Sequence, residues 1–243
     1  MKRTTSYIIL GLAIIITGWL LSRAWINSHN RNETIRVTGM ASKDFVADLI
    51  VWNGSFPRRS MSMQEAYTAL KQDADEIRKY MLSKGVTEKE LVFSAVDIQK
   101  DYEFRRMPVT NYETRVFNGF ILTQRIQVES KSVDRIEAVS REVTGLIDAG
   151  VELSSNAPEY YYTQLSALKI EMLAAAAKDG RERAEKIAEN AGSKIGDLKS
   201  ADMGIFQITA QNSSEDFTWG GAFNISSKRK TASITVKLDF EIN

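Results

Sequence analysis

The chain has no cysteine among its 243 residues. That excludes a disulfide framework, a thiolate nucleophile and any Cys-ligated metal. Large extracellular domains of eukaryotes often carry disulfides, so a cysteine-free exported domain points towards a bacterial envelope. Histidine is nearly as scarce. The single one, His29, lies outside the part that reads as a folded domain, so a Ser-His-Asp arrangement has no base to use. Neither sign of charge is in excess, with 32 basic against 31 acidic residues. The basic groups come only as the short runs Arg58-Arg59, Arg105-Arg106 and Lys228 to Lys230. These read as solvated strand ends and loops, and no nucleic-acid partner is expected.

Catalytic signatures are missing too. There is no Gly-x-Ser-x-Gly, and no Ser–Lys pair stands out from its background. Gly192 to Gly196 lacks the spacing that wraps backbone amides and a lysine around a phosphate, and reads as a turn after a helix. Asp97, Asp101 and Glu103 lie on an alternating strand without a Gly-hinged loop, so they read as a solvated face and not a calcium site. Asn-x-Ser/Thr triplets at Asn32, Asn53, Asn212 and Asn224 are too few above chance to imply glycosylation. No catalytic residue, cofactor or metal is therefore assigned, and the chain reads as not an enzyme. With 43% apolar and 26% charged residues it is an ordinary globular composition, which excludes disorder.

One long apolar run is present, from Tyr7 to Leu21, preceded by Lys2 and Arg3 and closed by Ser22 and Arg23. With interfacial residues counted, residues 6–25 approach the length of about 17–25 needed to span a bilayer. Trp19 and Trp25 suit the headgroup boundary, and the basic N-terminus favours a cytoplasmic start, with residues 1–5 inside. The anchor is expected to use Tyr7, Trp19, Leu21 and Trp25. In the alternative reading Ser22-Arg23-Ala24 is a signal-peptide site cut before Trp25, and the domain is freed into the periplasm or the outer membrane. A polar tether over 26–33 then leads into one domain over 34–243.

The domain alternates between periods of 2 and 3.6 residues. Strands are expected at Ile35 to Gly39, at Phe45 to Phe56 (limited by Pro57), at Leu91 to Tyr102, at Val116 to Glu129, near Val151 to Leu153 and at Asp197 to Ala210. The cleanest strand is the last, where Ala232, Ile234, Val236, Leu238, Phe240 and Ile242 face one way. Helices are expected at Ser62 to Ser83, after a Ser132 cap to about Ile147, and at Leu165 to Asn190. Gly180 sits on the buried stripe of the longest helix, where either a close backbone contact or plain small-residue packing explains it. The expected class is α+β, with antiparallel or mixed sheets, helices on one face, repeated strand-strand-helix units and one N-terminal transmembrane helix in front.

Two aromatic features stand out as a candidate interface: Tyr160 and Tyr162 of a tyrosine triplet, and Phe217, Trp219 and Phe223 in a polar loop from Gln211 to Ser227. Burial is the competing explanation for the triplet, with Tyr161 facing the core and its neighbours not.

Several elements in order resemble the SIMPL-domain family of bacterial envelope proteins. These are the strand with Ile35, Val37 and Gly39, the turn at Gly85-Val86, and Asn118-Gly119-Phe120 opening an alternating strand. The Ala-rich helix with Ala176, Ala184, Lys186, Ala188 and Gly192, running into Ile195-Gly196, completes the set. The resemblance covers Thr34 to Asn243; Phe120 stands where tyrosine is common and keeps its apolar role. It implies an exported mixed α/β protein at the inner membrane with its domain in the periplasm. It further implies assembly into homo-oligomers, an association with oxidative-stress defence, and no established catalytic residues. The function expected is self-assembly or binding of an unidentified protein partner. The alternatives are a small-molecule site between sheet and Ala-rich helix, or a hydrolase with an unrecognised site.

Overall fold

The computed structural model describes residues 2–29, 33–106, 113–214 and 220–243, with only the backbone described for 2–10, 13, 26–29, 105 and 106. In chain order the elements are α1 (Lys2–His29), β1 (Thr34–Val46), β2 (Leu49–Ser60), α2 (Met63–Ser83), β3 (Leu91–Phe93), β4 (Asp97–Arg106), β5 (Glu113–Ser130) and α3 (Val133–Glu142). They continue with β6 (Ser154–Ser155), β7 (Glu159–Tyr161), α4 (Leu165–Asn190), β8 (Ile195–Met203), β9 (Gln207–Ala210) and β10 (Arg229–Ile242).

The strands form two antiparallel sheets, each with its own helices and its own core. In the first, β10 is central between β1 and the successive β8 and β9, and α4 covers one face. The period-2 pattern of β10 fixes that face: Ala232, Ile234, Val236, Leu238 and Phe240 are buried with Leu168, Met172, Ala176 and Ala184 of α4. In the second sheet β5 and β2 are central, and α2 and α3 cover it. Ile50, Trp52 and Phe56 of β2 meet Leu122, Ile126 and Val128 of β5 and Leu70, Ile77 and Met81 of α2 there.

The mixed α+β class with antiparallel sheets agrees with the sequence reading. Of the two strand-strand-helix units, the second keeps β3, β4, β5 and α3 on one sheet, but the first does not stay intact. The β1–β2 connection passes between the sheets, so its two strands serve different cores. Other boundaries differ for local reasons. Pro57 does not end β2, which runs on to Ser60 paired with β5. Its other side loses β6 and β7 after Ser55, and a proline is tolerated where no partner needs its N–H. Residues 151–153 form no strand; Gly150, at φ 78°, ends the turn after α3, and pairing with β2 begins only at Ser154. The strand expected at Asp197 to Ala210 is broken into β8 and β9. Ser132 precedes α3 without a side-chain cap bond; its own amide donates to Ser130 Oγ.

Helix α1 starts earlier than expected and runs to His29, into the stretch read as tether. Every described side chain from Leu12 to Trp25 is exposed, including Trp19, Leu21 and Trp25. Among the described residues no helix is long and apolar enough to cross a membrane. The side chain of Tyr7 lies outside those residues.

Carboxylates tie the first sheet together. Asp179 of α4 accepts the Met40 N–H at 2.8 Å, and that bond, with Arg183 beside it, holds its pKa below the usual value. Asp239 is held low by a bidentate bond from Arg36, and Asp44 by Thr231 and Gln211. A folded-state pKa below the unfolded one contributes stability that is complete above the unfolded value and lost as pH falls through the folded one. The thermal midpoint should therefore drop between about pH 5 and about pH 3. Asp179→Asn should reduce that drop; a midpoint flat across the range would show these bonds to be inert.

Candidate interaction surface

The expected interface residues do not converge. Tyr160 is buried, 8% exposed, in the second core, where its N–H donates to Ile225 O at 2.7 Å. Burial first, and then Glu137, pushes its phenol pKa up. Tyr162 is half-buried against Phe45, ring centroids 4.8 Å apart, beside the first core. It is Tyr161 that faces out, donating to Glu159 at 2.7 Å, so the triplet alternates in the opposite phase to that expected. The cause is register: Tyr160 pairs with Ile50, a core position of β2. Tyr160 is thus a core side chain, not a surface one. Phe217 and Trp219 lie outside the described residues. Phe223 is 51% exposed, 6.3 Å from Phe206, and Lys169 Nζ lies over both rings.

Among the described residues of the domain, the most exposed aromatic is elsewhere, Phe104 on the β4–β5 ribbon. Along β5 the core face passes from Leu122, fully buried, to a half-buried Phe120 and then to Phe117, 38% exposed. A register shift between Asp101 and Tyr102 keeps this face continuous, because Asn118 on β5 is left without an opposite. Gly119 sits beside it at φ 111°, and a Cβ there would come within 2.6 Å of Ser60 O. Beyond the shift five residue pairs extend to Arg106↔Glu113, about 17 Å of ribbon at the usual rise per residue.

Tyr102 packs edge-on to Phe117 at 5.9 Å, and Phe117 to Phe120 at 5.2 Å. Arg115 stacks over Tyr102 at 4.4 Å and Phe104 at 5.7 Å, and Phe104 is 64% exposed. These residues face the same way as the second core, yet solvent reaches all of them. Sequence reading placed Leu91 to Tyr102 and Val116 to Glu129 as strands but drew no interface from them. The signal was there: Tyr102 and Phe104 alternate on β4, and Phe117 and Phe120 recur on β5.

Sheet edges offer less. The open side of β1 is engaged by Asp179 through Met40 N–H. Strand β8 has two register shifts against β10 and carries Asp197, Lys199 and Asp202, all devices that discourage pairing with another chain.

Grooves offer less as well. One of about 580 Å³ lies between the sheets, lined by Asp48, Asp134, Arg135 and Lys228 among others. Lys228 bonds both Asp134 and Glu137, which raise its pKa; Asp48 accepts from Thr163, and Arg135 donates to Gly85 O. A binding site wants convergent polar groups to spare, and these are satisfied internally. The seam between sheet and Ala-rich helix is shut where Gly39 meets Gly180. No group of three metal-ligating side chains occurs among the described residues.

The family model of SIMPL, described as a protein of unknown function (DUF541), matches residues 35–240. The chain belongs to the SIMPL family. That match spans both sheets and all helices but α1. No curated protein matches it. Among solved structures, 51% of this SIMPL chain is similar to part of an amidase (hydantoinase/carbamoylase family) from Burkholderia phymatum, at 14% identity and a TM-score of 0.26. The chain spans about a third of that protein's length, 32%, and so slight a likeness transfers no activity.

Proposed function

We propose that this SIMPL protein is a non-catalytic component of the bacterial envelope, tethered to the inner membrane by α1, whose periplasmic domain works by associating with protein. The observation that carries the reading is the aromatic face of Tyr102, Phe104 and Phe117, which continues a core surface beyond its covering helices. A two-stranded ribbon is only marginally stable in water by itself, and rings exposed on it gain most when a partner covers them. Aromatic and arginine side chains are also the groups that dominate binding energy in protein interfaces.

The tether rests on the sequence and not on the length of α1: the uncharged run from Tyr7 to Leu21 follows Lys2 and Arg3, and the described apolar side chains from Leu12 to Trp25 are exposed, with no buried stripe. A share in oxidative-stress defence enters the proposal through the family resemblance alone.

The test places a photo-reactive phenylalanine analogue at position 104 of the full chain in intact cells. We expect protein adducts on illumination, reduced severalfold by Phe117→Ser and Tyr102→Ser together. The absence of any adduct would end the association reading.

A further inference from the structure

We infer that the partner at the β4–β5 ribbon is an extended acidic segment of another protein, which adds as a strand to the free edge of β4. The inference rests on the association reading above and names the kind of partner.

The edge decides the shape of the occupant. Among the described strands β4 pairs with β5 alone, so half of its N–H and C=O groups point away from any strand. The extra residue at the register shift, Asn118, belongs to β5, and β4 itself stays regular. An edge of this kind takes a peptide by main-chain bonds, while alternate side chains give the selectivity. Size agrees. The ribbon beyond the shift is about 17 Å long, the span of about five extended residues. A folded partner of ordinary affinity needs roughly 1,200–2,000 Å² of buried surface, which two short strands cannot offer. A single added strand needs far less, because each residue it lays down brings hydrogen bonds as well as side chains.

Charge decides its chemistry. Register sorts the ribbon into two unlike faces. Lys100, Arg106 and Arg115 share the aromatic face with Glu113, whereas Asp97, Asp101 and Glu103 share the reverse face with Arg105. On the reverse face Asp101 is already engaged, accepting from Asn118 Nδ2 at 2.8 Å with Arg59 at 3.6 Å. On the aromatic face neither Lys100 nor Arg115 has a carboxylate within ion-pair distance among the described residues. Arg115 instead lies across Tyr102 and Phe104, which carries its charge over to β4. A strand with acidic side chains on the aromatic side and neutral ones behind meets these cations and avoids like charges at Asp101 and Glu103. Charges on an edge ordinarily deter pairing, but here they are sorted by face and deter only like-charged strands. A second copy is the wrong occupant. Antiparallel pairing of two β4 edges sets basic face beside basic face and acidic beside acidic.

The test titrates the full chain, purified in detergent micelles, into fluorescein-labelled octapeptides and follows their anisotropy. One peptide alternates glutamate with threonine, and the other alternates lysine with threonine. We expect the acidic peptide to bind about tenfold more tightly, and Lys100→Glu with Arg115→Glu to reverse that preference. N-methylating the acidic peptide at every glutamate, or at every threonine, tells a strand from a loose ionic contact. Only one of those two sets of N–H groups can point at β4, so the two methylated peptides should differ about tenfold. Both substituted side chains lie outside the two cores, so unchanged far-ultraviolet circular dichroism and thermal midpoint will show that the double variant folds. Equal affinity for the acidic and basic peptides, or for the two methylated ones, overturns the inference. So does an adduct of the photo-reactive analogue formed only with a second copy of this chain. If the analogue captures another protein while the peptides show no preference, association stands by a different mode; if it captures nothing, both readings fall.

Discussion

Gly39→Ala should cost roughly 3–5 kcal/mol, a large fraction of a domain's stability. A Cβ built at Gly39 would lie 2.0 Å from Ala176 O, 2.5 Å from Gly180 N and 2.8 Å from Gly180 Cα. All three are backbone atoms of α4, so no rotamer change relieves them and the helix must lift off the sheet. Lifting it also breaks the Met40 N–H bond to Asp179 and uncovers Leu238 and Ala176. Gly180→Ala is the instructive contrast. Its Cβ would meet Leu238 Cδ1 at 2.7 Å, the end of a side chain that can turn, with Gly39 Cα next at 3.3 Å. Alanine also gains about 1 kcal/mol of helix propensity over glycine. We expect Gly180→Ala to change stability by less than about 1.5 kcal/mol. Urea unfolding of both variants checks the pair, and a Gly39→Ala chain as stable as the parent would show that this close approach does not exist.

That contact also marks where sequence reasoning reaches its limit. Gly180 was visible as a glycine on a buried stripe, because helical periodicity is local. Its partner Gly39 stands 141 positions earlier, and nothing local indicates that they touch. The clean alternation of β10 and the stripes of α2 and α4 were legible for the same reason. The division into two sheets was not, since two strands joined by Ala47 and Asp48 look alike whether they form a hairpin or pass between layers.

The candidate surface shows the same divide. The tyrosine triplet drew attention because tyrosines are conspicuous, but the β7 register with β2 decides which of them are covered. The ribbon aromatics were less conspicuous, because they are spread over two strands and become a face only when Tyr102 meets Phe117. What reveals them as a surface is the end of the helical cover, a tertiary fact. Phe223 was placed correctly as an exposed aromatic, yet its neighbours Phe206 and Lys169 come from different segments.

Asp73 is a charged residue in the middle of α2, yet it is buried, with its side chain 6% exposed. Its spacing from Leu70 and Ile77 puts it on the core side, where a carboxylate survives only with a partner. Arg58 of β2 supplies one: its Nη2 donates to Asp73 Oδ1 at 2.6 Å, its Nε to Oδ2, and Nη2 also reaches Gly150 O at 2.8 Å. One fork thus ties β2, α2 and the turn after α3 together, and the pair raises the pKa of Arg58 further. Arg58→Met should therefore cost about 2–3 kcal/mol, below the usual 3–5 for a broken buried pair because the arginine side chain is 34% exposed and water can partly replace it. Replacing both partners, as Arg58→Met with Asp73→Leu, removes the stranded charge along with its counter-ion and should recover most of the loss. Guanidinium unfolding of the two single variants and the double variant measures the coupling. If the losses simply add, Asp73 does not depend on Arg58, and the link between the two central strands and their helices is carried by apolar packing alone.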